Sequence, residues 1–195
     1  DLRQIACVPL SSPDFPSGRR SAYADNIPVE FKAAQPWFYD LVQQQVTFAL
    51  GGGSDAFDIP LDVPWAIGTS SISQVKTIAY AGTWRSNPVI TIVGPATNPV
   101  LEQLTTDEKL SFTGHTINAG DYYVIDTRYG YKTVEDSTGA NKQADLTDDS
   151  DLGSFHIKEP DGDDRTKDND LQFSATSVTT ATEVYVRYYV NYSGI

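Results

Sequence analysis

The sequence predicts an all-β chain built as a sandwich or jelly roll, and three observations carry that expectation. Apolar residues alternate with polar ones at a period of two almost throughout. Turn-forming pairs punctuate the alternating runs. Helical periodicity is scarce, and many short strands joined by frequent turns belong to sandwich architectures.

From the N-terminus, Arg3–Pro9 and Ile27–Ala33 read as strands, with Val29 and Phe31 on one side and Glu30 and Lys32 on the other. The loop between them, Ser11–Asp25, holds Pro13, Pro16 and Gly18 and has almost no periodicity. A lone hairpin is marginal in water, so these strands either join the main domain or trail from a preceding one. A boundary is expected near Gln35-Pro36, dividing an appendage over 1–35 from a sandwich over 36–195. The first residue is Asp1 and the chain contains no methionine, which suggests a processed or truncated protein.

Beyond the boundary, strands are expected at Val46-Phe48-Leu50, Leu110-Phe112, Tyr122-Val124, Phe155-Ile157 and Leu171-Phe173. The clearest alternation is C-terminal. Val184, Val186, Tyr188 and Val190 should enter a core, while Tyr185, Arg187, Tyr189 and Asn191 face away. Val75–Ala81 and Val89–Val93 are more continuously apolar than the other runs, as expected for strands covered on both faces. Asn87-Pro88, Gly94-Pro95 and Asn98-Pro99 mark turns, and Tyr129-Gly130 sits between two runs that read as a hairpin. Ser137–Asn141 forms a second turn, and Leu146–Leu152 has room for one helical turn with Thr147 as its cap. Gly51-Gly52-Gly53-Ser54 and Lys158–Asp170 read as polar or flexible connections.

A net charge of −12, with fourteen Lys and Arg against twenty-six acids, argues against nucleic acid and anionic membranes as partners. No apolar run reaches the roughly 18 residues of a membrane-spanning helix. One cysteine, Cys7, excludes an internal disulfide, and its apolar strand suggests a small core residue. At 195 residues the chain can bury roughly 70% of its unfolded surface without staples.

The sequence carries few patterns that mark chemistry. A nucleophilic triad needs a base and an orienter, yet the two histidines read as surface groups: His115 in a turn and His156 opposite Phe155 and Ile157. No zinc spacing, nucleophile elbow or phosphate-binding loop occurs. The best calcium candidates are Asp161, Asp163 and Asp164, although Arg165 stands where another acid would be needed. Paired carboxylates of the glycosidase kind have no spacing signature, so a glycoside hydrolase stays open as a third reading. No cofactor is expected. Eleven tyrosines occur, several on strands. Tyr122 and Tyr123 must point oppositely, so one leaves the core. Tyr123, Tyr129, Tyr131, Tyr185 and Tyr189 are the candidate contacts for a sugar or a protein partner; the alternative is hydroxyls at the rim of a packed sandwich.

An ordered series of segments resembles one known family. They are Pro36-Trp37-Phe38-Tyr39-Asp40, Val46-Thr47-Phe48 leading to Gly51-Gly52-Gly53, Ile59-Pro60, Val63-Pro64 and Ile67-Gly68. The most specific is Tyr80–Pro88, followed by Ile90–Gly94, Gly120–Thr127 and Asp151-Leu152 before Phe155. Together they resemble the C-terminal part of distal tail proteins and related siphovirus-type tail components of bacteriophages, over roughly Gln35 to Phe155. The resemblance implies a galectin-like β-sandwich that projects from a ring-forming N-terminal domain. Residues 1–35 would then be the trailing strands of that domain, too few to close a ring alone. It further implies a non-enzymatic structural component of a tail tip or baseplate, in a virion or prophage setting. Its partners would be other tail or baseplate proteins, with a homo-oligomeric ring in the full-length protein. A carbohydrate-binding module touching host-surface glycans is the alternative. In the Tyr80–Pro88 segment, Gly82 should relieve a tight bend, Trp84 should pack, and Pro88 should start the next strand.

Overall fold

The computed structural model describes residues 2–10, 29–50, 70–160 and 168–193. In chain order the strands are β1 (Arg3–Gln4), β2 (Cys7–Pro9), β3 (Phe31–Ala33), β4 (Trp37–Asp40) and β5 (Gln44–Ala49). Next come β6 (Ser71–Ile78), β7 (Val89–Val93), β8 (Ala96–Gln103), β9 (Glu108–Ser111) and β10 (Thr116–Ile117). The last are β11 (Tyr122–Asp126), β12 (Thr133–Asp136), β13 (Asn169–Thr176), β14 (Glu183–Tyr188) and β15 (Asn191–Ser193).

Two five-stranded antiparallel sheets form a sandwich. One runs β12-β11-β7-β14-β5; the other runs β10-β8-β13-β6, with β9 also paired to β8. Their inner faces meet in one core. Phe48 of the first sheet contacts Phe173 of the second at 6.1 Å between centroids, and Phe112 meets the Tyr123 ring edge-on at 5.4 Å. Ile90, Ile92, Ile125, Val184 and Val186 from the first sheet and Leu101, Leu110 and Leu171 from the second are completely buried. Each such side chain stabilises the fold by about 1.5–3 kcal/mol relative to leaving it in water.

The C-terminal alternation holds through β14 and breaks at its end. Val190 and Asn191 are both buried, because the chain leaves the large sheet there and enters a smaller one, ordered β1-β4-β15. Asn191 fixes the switch. Its carbonyl accepts from the N–H groups of Thr83 and Trp84, and its side-chain amide donates to the Arg85 carbonyl. β2 and β3 form a separate hairpin, and β1 pairs with β4 across positions 35 and 36.

Several local expectations change. β6 and β7 are covered on one face only: Val75 stays 51% exposed, and Val89, Thr91 and Val93 are half-buried on the outside of their sheet. Continuous apolarity there reflects β-branched residues fitting a pleated surface. Phe155 and Ile157 are buried, but a turn precedes them and only an isolated bridge from Ile157 to Ser86 forms. The single helical turn is a 3₁₀ segment at Gln143–Asp145, while Thr147 closes a turn by accepting from the Ser150 N–H at 3.0 Å. Cys7 is exposed, and among the described residues β2 pairs with β3 alone. His156 is largely covered, with its Nδ1 3.1 Å from Glu108 and 2.9 Å from the Ser154 carbonyl. The connections 11–25 and Gly51–Ser54 lie outside the described residues. Among those described, no helix is long and apolar enough to cross a membrane.

Candidate functional site

The β11–β12 connection builds a protruding knob. Asp126 ends β11 and accepts from the Arg128 backbone N–H at 3.0 Å, from Nε at 3.0 Å and from Nη2 at 2.6 Å. Burial pushes the Asp126 carboxyl up, but the Arg128 hydrogen bonds outweigh it and hold the group below the usual range. Thr127 anchors the base by donating its hydroxyl to the Pro88 carbonyl at 2.7 Å. Gly130 at φ +87° and Lys132 at φ +52° then turn the chain back into β12. Lys132 donates Nζ to the Thr127 carbonyl at 2.5 Å. Desolvation, followed by the Arg85 charge, lowers its pKa. This framework leaves Tyr129 and Tyr131 68% and 61% exposed, with the Arg128 guanidinium 4.7 Å above the Tyr131 ring.

An aromatic band adjoins the knob. Trp37 of β4 stacks on Trp84 at 6.1 Å and 23°. Two residues along, Tyr39 meets Tyr189 edge-on at 5.6 Å. Tyr189 in turn lies close enough to Arg128 to act on its charge. Arg85, beside Trp84, is exposed and has no acidic partner among the described residues. Arginine and aromatic side chains, sparsely hydrogen-bonded and accessible, are the residue types that dominate contact surfaces.

The opposite end of the β11–β12 hairpin carries a polar cleft of about 270 Å³, lined in part by Asp121, Tyr123, Asp136, Ser137 and Lys142. Tyr123 donates its hydroxyl to Asp145 at 3.0 Å, and burial together with that carboxylate pushes its pKa up to about 12. Asp136 accepts from the Thr138 hydroxyl and N–H and from the Ala140 N–H, which lowers its pKa and pins the Ser137–Asn141 turn. Asp121 accepts from the Ser137 hydroxyl at 3.0 Å. Among the described residues no group of three or more His, Cys, Asp and Glu is arranged to hold a metal ion.

The candidate tyrosines therefore separate. Tyr131 and Tyr189 lie near Arg128, and Tyr129 follows it in the chain with its side chain exposed. Tyr185 stands on the outer face of the sheet opposite Thr47 and Thr91, with Arg187 5.3 Å from its ring and its hydroxyl bonded to Glu183. Tyr123 is a core residue whose hydroxyl reaches the cleft. Asp161, Asp163 and Asp164 lie outside the described residues. Trp37, Tyr39 and Arg85 join the surface without having been singled out as contacts, and Trp84, expected to pack, does so while staying partly exposed. No local signal in the sequence marks Trp37 and Trp84 as neighbours, since one lies on β4 and the other 47 positions further along the chain. No protein-family model matches the chain, and comparison with curated proteins and with solved structures likewise finds no match.

Proposed function

We propose that this chain is a non-catalytic structural module of a phage-type tail tip or baseplate, with its galectin-like sandwich making protein–protein contacts. Two things support the reading. One is the ordered resemblance between Gln35 and Phe155. The other, which carries it, is the knob: Tyr129 and Tyr131 are presented to solvent on a turn fixed by the Asp126–Arg128 pair, beside the Trp37–Trp84 stack. Rigid aromatic anchors lose little conformational entropy on binding and suit an assembly contact. Deleting the coding frame from its source genome tests the proposal. Tails that fail to assemble or adsorb are expected; particles of unchanged structure and infectivity overturn it.

The same exposed tyrosines favour a second reading, a module that stacks on host-surface glycans. Saturable binding on a glycan array, lost in Tyr129→Ala, would put this reading first. Silence across the array leaves the assembly role ahead.

A further inference from the structure

We infer that Trp84 and Arg85 form a binding site for acidic saccharides, with a pyranose ring on the exposed part of Trp84 and its carboxylate on the Arg85 guanidinium. The inference rests on the glycan reading above, moves its site away from the knob tyrosines and names its ligand class: a sugar bearing a carboxylate, such as a hexuronic acid.

The first ground is an unpaired cation. Arg85 is exposed, and among the described residues no carboxylate lies within ion-pairing distance of it. Its charge acts on Lys132, a like charge. Two acids share the neighbourhood. Glu108 is engaged by the His156 Nδ1 at 3.1 Å and by the Thr106 hydroxyl at 2.9 Å. Glu159 acts on the Tyr80 hydroxyl. The guanidinium carbon stands 6.0 Å from the Trp84 ring centroid, at the outer limit of cation–π attraction. A guanidinium with free donors suits a carboxylate, which it grips through two parallel hydrogen bonds.

The second ground is a fixed display. The N–H groups of Thr83 and Trp84 both donate to the Asn191 carbonyl, at 3.0 and 3.2 Å. The Trp84 carbonyl accepts from the Tyr80 hydroxyl, and the Arg85 carbonyl accepts from the Asn191 amide at 3.0 Å. Ser86 exchanges both of its main-chain bonds with Ile157. The Trp84 ring stacks on Trp37 and is still 37% exposed. The exposed hydroxyls of Thr83 and Ser193 lie alongside, 3.3 Å apart, and can meet sugar hydroxyls. A ligand therefore finds ring and cation already held in place, which limits the ordering cost of binding. The same bonds favour a saccharide over a peptide. Strand-like peptide recognition needs free main-chain donors and acceptors, and those just named are engaged within the chain. The net charge of −12 opposes a polyanion at long range. At about 0.15 M salt that repulsion is confined to about 8 Å, within which Arg85 faces a short ligand directly.

Isothermal titration calorimetry of the purified chain with tetragalacturonate tests this, over roughly 0.1 to 10 mM ligand. Saturable binding is expected, with a change in tryptophan fluorescence. The methyl ester of the same saccharide, which lacks the charge, is expected to bind at least tenfold more weakly. Arg85→Gln should lower the affinity for the acid to that for the ester, and Trp84→Ala should abolish binding of both. The Arg85 side chain is exposed and its main-chain bond survives the change, so the thermal midpoint of Arg85→Gln should not move. Tyr129→Ala should bind as the wild type does. Absence of saturable binding overturns the inference. So does equal affinity for acid and ester, or undiminished binding in Arg85→Gln. Equally tight binding of tetraglutamate overturns it too, and would mark the pair as a contact for an acidic protein segment. The glycan array judges the wider reading separately: hits lost in Tyr129→Ala but kept in Arg85→Gln would retain that reading and remove this site.

Discussion

The hydroxyl of Tyr80 accepts a hydrogen bond from the backbone N–H of Asn191 at 2.8 Å, while donating its own proton to the Trp84 carbonyl at 2.6 Å. One buried phenol thereby joins the Tyr80–Pro88 segment to the point where the chain passes from β14 to β15. Burial pushes its pKa well above the ordinary tyrosine value.

Tyr80→Phe keeps the ring and removes both bonds, leaving a buried N–H and a carbonyl short of a partner. A loss of about 1–3 kcal/mol is expected. Equilibrium denaturant unfolding measures it, and a change below the scatter between repeats would mean that water replaces the hydroxyl without cost.

Gly82 sits under the same junction. A Cβ there would lie 2.5 Å from the Asn191 carbonyl oxygen and 2.6 Å from the Tyr80 ring. Backbone and a locked aromatic cannot both give way, so Gly82→Ala is expected to cost about 1–3 kcal/mol. A lowered thermal midpoint with altered tryptophan fluorescence from the neighbouring Trp84 is the expected signature.

Tyr123 makes stability depend on alkaline pH. Its pKa is raised in the folded chain, to about 12, so the native state holds the proton more tightly than the unfolded chain does. The associated stability is complete below pH about 10, the ordinary tyrosine value, and is lost as pH rises through 12. Urea unfolding at stepped pH should show this fall, with Tyr123→Phe making it shallower. An identical slope in the variant would assign the effect to other tyrosines.

Asp126 acts in the opposite direction. Its folded pKa is depressed by Arg128, so its contribution is present above about pH 4 and is lost as pH falls through the folded value. Asp126→Asn is expected to cost about 1–2 kcal/mol at neutral pH and to flatten the acid limb. Amide exchange at Arg128–Lys132 should accelerate in the variant; unchanged protection there would show that Thr127 and Lys132 suffice to hold the knob.

Phe173→Ala tests the sandwich itself. Phe173 is fully buried against Phe48, and its removal opens a cavity between the sheets, with an expected loss of about 3–5 kcal/mol. A loss under 1 kcal/mol would mean that the two sheets do not share a close-packed core.

How far the sequence reached differs from residue to residue. Val184, Val186, Leu171 and Phe173 face the core as their two-residue spacing requires, because successive side chains on a strand point to opposite faces. The hairpin at Tyr129-Gly130 and the turn at Ser137–Asn141 were equally legible, since glycine and Asx chemistry act locally. The pattern misled where distance along the chain matters. It made Val75 look doubly covered, although one face of β6 meets the core and Val75 points to the other. It placed Cys7 inside, although Cys7 is exposed on a hairpin whose β2 strand pairs, among the described residues, with β3 alone.

By itself, then, the sequence determined the layered β architecture, the turns and most of the core, because these follow from side-chain alternation and local backbone preference. Only the tertiary structure decided which aromatics meet. Trp37 and Trp84 lie 47 positions apart in the chain, and Tyr39 and Tyr189 lie 150 apart. Whether such residues form one surface depends on how β4 and β15 pair after the chain leaves β14, a long-range register that no local pattern encodes.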